Sequence, residues 1–513
     1  MKSPGIWLIV TGALLLLECS SERISGTKGG SETTNGIIAT VFTGDGAPAA
    51  GSVVRIRRAD YISSPDSSCK TTADCFDSVT DTNGRFMARG LEPASYHVEI
   101  NDTVTGNHRG GAVLCSCIVG NTDTVDLGNR SLYPHAQVNG TIDRSDSGDD
   151  ELIVCVRGLE RTVPVTTDGS FSFDDLPAGK MDFVIENRAK KSRREVDNVA
   201  TLPGNTIRVQ VAAGAEWARY IYIDSLVAGI ADSAFYKSFP LLVRLDAQTF
   251  DFSQARPEGE DIRFTKPDGT PLHYEIEQWD GDARLAALWV EVDTVYGGRT
   301  GQAIVMQWGD PEAESQSDGN AIFTFDSGYV VTLHGNILPD ASKRIETAPG
   351  MIGNALWFDG TDNLMLPDSL NVSSDYTLSC WINAADLSTT RNVIWKEHSY
   401  ALWFDPALGG MRVEHYTDSL TWRGIDRFSV PITADRWYYL VGTYDGGRVR
   451  LYVNGEIADS SEIITEGPSA GTQPLELGGR SGEFFAGLID EVRIENVKHS
   501  AGWIKLCYLN QRQ

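Results

Sequence analysis

Hydrophobic and polar residues alternate over short runs along most of this chain, and a turn signal closes nearly every run. In "RWYYLVGTYDGGRVRLYVNGEIADSS" a strand ends at Tyr444 and Asp445 to Gly447 turn the chain. Val449, Leu451 and Val453 then alternate with Arg450 and Tyr452 up to an Asn454-Gly455 hairpin turn. Comparable runs occur at 241–245, 261–264, 273–278 and 286–292, separated by Pro-Asp-Gly and Asp-Gly-Asp turns. Long 3.6-residue patterns are few. A period of two in short segments predicts an all-β chain, and 513 residues at about 150 per domain predict three or four domains.

The exception to the alternation is the beginning of the sequence. Lys2 precedes a 13-residue apolar run at 5–17, which reads as a secretory signal and is shorter than the ~20 residues that span a bilayer. Leu16 and Cys19 stand at the spacing of a lipobox, with Glu18 where a small residue is usual, so the stretch resembles a bacterial lipoprotein signal. That resemblance implies lipidation at Cys19; the alternative is ordinary cleavage after Ser21 and secretion. Residues 20–35 are Ser, Gly, Thr and charge, with almost nothing to bury, and read as a flexible tether.

One phrase occurs twice further on, "TDTNGRFMARGLEPASYHVEI" from Thr80 and "VTTDGSFSFDDLPAGKMDFVI" from Val165. Gly84 precedes Leu91 by seven residues as Gly169 precedes Leu176, and Phe86 and Phe171 stand two places after those glycines, so the segment is an internal duplication. Each copy predicts a small β-sandwich, at 36–132 and 133–212. The phrase resembles the carboxypeptidase regulatory-like family, whose members serve as accessory or stalk domains. The second copy departs from that pattern in lacking its tyrosine.

Residues 213–315 carry "DIRFTKPDGTPLHYEIEQWD" and "WGDPEA", which resemble a bacterial domain of unknown function that commonly precedes LamG-like domains. From 325 to 507, "NALWFDGTDNLMLPDSL", "DYTLSCWINAADLS" and "FFAGLIDEVRIENVKHSAGW" join the hairpin quoted above. Together they resemble the LamG-like family, which implies a concanavalin A-like jelly roll. The expected architecture is thus all-β and multidomain, with small β-sandwiches followed by a jelly roll.

Charge narrows the partners. With 44 basic and 70 acidic side chains the formal net charge is -26, which disfavours nucleic acid and anionic lipid surfaces and leaves a polysaccharide or a surface protein. Membrane attachment is then expected only through the N-terminal lipid, at the outer membrane of a bacterial envelope; the alternative, without the anchor, is secretion. Export permits disulfides, and Cys69 and Cys75 in "SSCKTTADCFDS" form a local candidate pair against the alternative of free thiols. Cys155, Cys380 and Cys507 lie in apolar contexts that read as buried hydrophobes.

Fold alone does not separate a lectin from a glycosidase. Hydrolases on a jelly roll often carry E-x-D-x-x-E along one strand, and that string does not occur; alternation in "IDEVRIE" places Glu491 and Glu495 on one face and Asp490 on the other. "GPSAG" satisfies G-x-S-x-G, but Ser469 has loop before it and strand after it where a nucleophile elbow needs strand then helix. No catalytic residues are assigned, and no cofactor is expected other than a structural Ca²⁺, for which Asp359 and Asp490 are the candidates. The competing reading of those two is a turn and a backbone cap. Seven tryptophans, 357, 381, 395, 403, 422, 437 and 503, fall in the LamG-like region. Trp381 and Trp437 read as core, whereas Trp422, with Tyr416 and Arg423, lies in a polar context suited to stacking a sugar. The leading expectation is a non-catalytic surface lipoprotein that binds carbohydrate; the rivals are a protein-adhesion stalk without a glycan site and a divergent glycoside hydrolase.

Overall fold

A computed structural model describes residues 22–24, 35–63, 75–102, 110–120, 124–145, 147–211, 215–223, 230, 234–299, 301–324, 327–335, 345–372, 374–425 and 431–512. Cys19 and Cys69 lie outside these residues. The chain divides into two compact units, one reaching Tyr220 and including Pro267–Gly269, the other comprising Ile221–Lys266 and Thr270–Gln513.

The first unit holds two sandwiches with the same strand path. In the first, Gly36–Phe42 lies between its parallel neighbour Thr124–Ser131 and its antiparallel neighbour Arg85–Arg89. The facing sheet runs Cys75–Val79, Val53–Arg58, Ala94–Asn101 and Ala112–Val119. In the second, Ala136–Ile142 lies between parallel Thr206–Val211 and antiparallel Ser170–Leu176. Its partner sheet begins Thr162–Pro164, Leu152–Val156, Gly179–Asn187 and Ser192–Thr201. The repeated glycines explain the repeated phrase: Gly84 and Gly169 have φ of 74° and 85°, and a Cβ on them would sit 2.2 Å from Val41 O and 2.3 Å from Ile142 O. Only glycine fits there. Where the second copy lacks the tyrosine, Met181 takes its buried place: Tyr96 and Met181, each twelve places after its glycine, are both buried, but only Tyr96 adds a hydrogen bond, from its hydroxyl to Glu92 O at 2.9 Å.

In the second unit the jelly roll has two antiparallel sheets. One runs Glu346–Pro349, Asn354–Asp359, Ala486–Glu495, Asp375–Ala384, Trp437–Asp445, Val449–Val453 and Glu456–Ser460, with Tyr329–Leu333 also paired to Ala486–Glu495. The other runs Leu364–Leu366, Leu475–Leu477, Arg391–Lys396, Tyr400–Asp405, Gly410–Tyr416 and Trp422–Gly424. The core lies between them, with Leu378, Cys380, Leu440 and Leu451 from the first sheet against Ile394, Leu402, Phe404 and Val413 from the second. The hairpin expected at Asn454-Gly455 is present, and both residues have the positive φ its turn demands.

The back of the first jelly-roll sheet is covered by the helix Ala501–Gln511 and by a three-stranded sheet of Phe235–Asp246, Leu285–Tyr296 and Tyr274–Asp280. Asn510 exchanges two hydrogen bonds with the Leu242 backbone at 2.7 and 3.0 Å, and the Trp503 ring packs edge-on to Phe239 at 5.1 Å. The segment before the jelly roll is therefore part of the same compact unit. This arrangement also relocates two tryptophans. Trp381 is buried, but beneath the helix, where its Nε1 donates to Gln511 Oε1 at 2.8 Å, because its neighbour Cys380 takes the inter-sheet side. Trp437 is half-buried at a strand end and does not belong to the core.

Candidate functional site

The second jelly-roll sheet buries one face, and the opposite face carries a group of aromatic side chains. Tyr400, Leu402 and Phe404 enter the core, so alternation sends Ala401 and Trp403 outward; Val413 and His415 turn in, so Arg412, Glu414 and Tyr416 turn out. Strand register then places Glu476, Trp395, Ala401 and Glu414 in one row across four strands, with Gly424 beside Glu414. Ala401 and Gly424 keep the floor low between larger side chains.

The rings touch one another. Trp395 and Trp422 lie 5.0 Å apart between centroids at 44°, Trp422 meets Tyr416 edge-on at 5.5 Å, and Tyr416 lies 4.6 Å from the His398 ring. Polar groups hold the indoles in place. Trp395 Nε1 donates to Glu397 Oε2 at 2.9 Å, and Arg480 both pairs with that oxygen at 2.5 Å and lies 4.9 Å over the Trp395 ring. Trp403 Nε1 donates to Glu414 Oε1 at 2.6 Å beneath Arg412, whose guanidinium also reaches Asp405. Burial raises the Glu414 carboxyl above the usual carboxylate range, opposed by Arg412. Flat apolar faces with fixed polar edges are the chemistry that stacks on sugar rings.

The structure brings Trp422 and Tyr416 together as a pair but turns Arg423 to the other side of its strand, where its charge acts on Glu466. Trp395 and Trp403 were not singled out by sequence. The misleading signal is Lys396: it looks like the outward residue of its strand, yet it is fully buried with Nζ donating to the carbonyls of Asp368 and Gln473, and this inverts the alternation around it.

The two carboxylates in the row itself, Glu414 and Glu476, are far apart. They stand three strand spacings from one another, about 14 Å, whereas the usual glycosidase pairs are about 5–9.5 Å apart. Ser469 sits in a loop with its hydroxyl donating to Asp418 at 2.8 Å. Asp359 and Asp490 are not brought together. Asp359 pairs with Ala486, four residues along the strand from Asp490, and closes a turn by accepting from the Thr361 amide and hydroxyl. Asp490 is buried and accepts from the amides of Met351, Ile352 and Glu491. Cys75 is disulfide-bonded, and Cys155, Cys380 and Cys507 are buried free thiols.

Two antiparallel sheets with this packing define a concanavalin A-like domain. In agreement, residues 358–505 match the concanavalin A-like lectin/glucanases superfamily, and 258–329 match a domain of unknown function, DUF2341. Comparison with curated proteins gives no match. Among solved structures, domain 4 of AbnA, a GH43 extracellular arabinanase from Geobacillus stearothermophilus in complex with arabinotriose, is 22% identical. It aligns over 36% of this chain and 87% of its own, with a TM-score of 0.29. The receptor binding domain of botulinum neurotoxin mosaic serotype C/D is 17% identical over 36% of this chain and 51% of its own, with a TM-score of 0.30. A SAP-like pentraxin from Limulus polyphemus is 13% identical over 29% and 72%, with a TM-score of 0.22. This chain spans about half the length of the toxin domain, and likenesses at this level carry no argument about a ligand.

Proposed function

We propose that the protein is a non-catalytic, exported surface lipoprotein whose jelly roll binds carbohydrate on the face built by Trp395, Trp403, Tyr416 and Trp422. The observation that carries this reading is the contiguous run of Trp395, Trp422 and Tyr416 rings, with the Trp395 and Trp403 indoles held by hydrogen bonds, on the outward side of the sheet. Because Arg412 and Arg480 are already paired with Asp405, Glu414 and Glu397, and Glu476 lies in the same row, the face offers, among its described residues, no free cation to an acidic glycan, which favours an uncharged polysaccharide. The test is affinity electrophoresis and calorimetry of the full chain against neutral and acidic polysaccharides. Retention by a neutral glycan is expected; retention by none refutes the reading and leaves protein adhesion.

Anchoring belongs to the same proposal. Acyl chains at ~0.8 kcal/mol per buried methylene would hold Cys19 at the envelope, and among the described residues no helix is long and apolar enough to cross a membrane. Cys19→Ser is expected to release the protein into the soluble fraction, and continued membrane retention would refute lipidation.

A further inference from the structure

Behind the first jelly-roll sheet, away from the aromatic face, lies a group of buried charges. Glu277 comes from Tyr274–Asp280, His334 follows Tyr329–Leu333, and Glu491 lies on Ala486–Glu495; none is more than 9% exposed. Both carboxylates stand at irregularities in their strands. The register shifts between Ile276 and Gln278, and again where Ser379 and Trp381 face Arg493 and Asp490, which leaves Ala486–Glu495 one residue in excess. Glu491 takes a φ of 51° at this bulge, and Ile489 and Val492, three residues apart, both enter the core. Simple alternation is thereby broken, so that Asp490 and Glu491 share the outer face instead of opposing one another. Bulges re-aim side chains in this way.

We propose that Glu277, His334 and Glu491 bind one divalent transition-metal ion that clamps the three-stranded sheet to the jelly roll. His334 Nδ1 lies 2.6 Å from Glu491 Oε1 and 3.5 Å from Glu277 Oε2, and one ligand atom from each residue falls within 4.8 Å of the others. Each of the three has a supporting partner of the kind that orients metal ligands. Trp289 Nε1 donates to Glu277 Oε2 at 2.7 Å, an Arg493 terminal nitrogen donates to Glu491 Oε2 at 2.7 Å, and Glu275 Oε2 faces His334 Nε2 at 3.4 Å.

The remaining surroundings also suit a cation. Glu275 Oε2 and His334 Nε2 are buried and face one another at 3.4 Å, and neither makes a further hydrogen bond. The carboxylates of Glu275, Glu277, Asp490 and Glu491 are all buried, and buried anionic oxygens favour a cation bound beside them. One imidazole nitrogen with two carboxylate oxygens suits Zn²⁺ or Mn²⁺ better than Ca²⁺, which prefers oxygen alone.

The experiment is elemental analysis of the full chain after exchange into chelator-free buffer, then chelation and titration with Zn²⁺, Mn²⁺ or Ca²⁺ under thermal melting. One equivalent of a transition ion is expected, and its return should raise the melting temperature by about 5 °C. Glu277→Gln, which keeps an acceptor for Trp289, should abolish both the stoichiometry and the shift. If that variant does not fold, X-ray absorption on the wild-type chain decides, with one nitrogen and carboxylate oxygens expected at the ion. A folded wild-type chain that retains no ion and shows no thermal shift overturns the proposal, as does a Glu277→Gln chain that binds as the wild type does.

Discussion

Replacing Trp395 with alanine tests the proposed glycan face most directly. Its indole is fixed from three sides, by the Glu397 hydrogen bond, by the Arg480 guanidinium and by contact with Trp422. A ring held in this way loses little entropy when a sugar settles on it. Stacking a pyranose on one indole removes about 80 Å² of apolar surface from water, which at ~25 cal/mol per Å² is about 2 kcal/mol, or roughly 30-fold in the dissociation constant. Trp422→Ala should cost less, about tenfold, because its ring is held by the aromatic neighbours Trp395 and Tyr416. The two rings touch, so the double variant should lose less than the product of the single effects. Both side chains lie outside the inter-sheet core, so folding should change by only about 1 kcal/mol, against about 2–5 kcal/mol for Leu402→Ala, which opens a cavity between the sheets. Calorimetry with the retained polysaccharide gives the affinities, and thermal melting of the same samples gives the stabilities. An unchanged dissociation constant in both single variants, with the fold intact, would refute the reasoning. Affinity loss that merely tracks loss of folding would refute it too.

Two further outcomes are expected in the first unit. Gly84→Ala forces a methyl against the Val41 carbonyl at a positive φ, and should lower the stability of that sandwich by about 2 kcal/mol or more in calorimetric unfolding; an unaltered transition would contradict the assignment of the turn. Asp197 is pushed up to about 6, chiefly by burial and then by Asp182 and Glu195, with Arg219 and Arg157 opposing. The folded state therefore binds this proton more tightly than the unfolded state does. Its stability is greatest below about pH 4 and falls by about 3 kcal/mol as pH rises through about 6, a decline that Asp197→Asn should remove from urea unfolding measured across that window.

Much of the architecture was legible from short-range chemistry. The Asn454-Gly455 turn and the paired Gly84 and Gly169 positions are fixed by φ, a local property that a residue type reveals. The duplication was legible for the same reason, since each copy needs its glycine, aromatic and leucine at the same places along the same strand path. Half of the proposed face was legible too. Trp422 and Tyr416 stood out by their polar setting, and the backbone pairing across one hairpin joins them.

The remainder depended on contacts between distant parts of the chain. Lys396 is buried because two carbonyls from separate loops receive its ammonium group, and nothing within its own strand announces that inversion; with it went the exposure of Trp395. Trp381 is covered by a helix more than a hundred residues later, so its hydrophobicity was evident while the face it buries was not. Glu491 illustrates the same limit at the scale of one residue, because a single extra position in a strand reverses which side chains share a face. The sequence by itself determined strands, turns and the repeated sandwich, since these follow from periodicity and backbone conformation. Only the tertiary structure decided which tryptophans face solvent and that Glu277, His334 and Glu491 meet, because burial and charge proximity arise when separate sheets pack together.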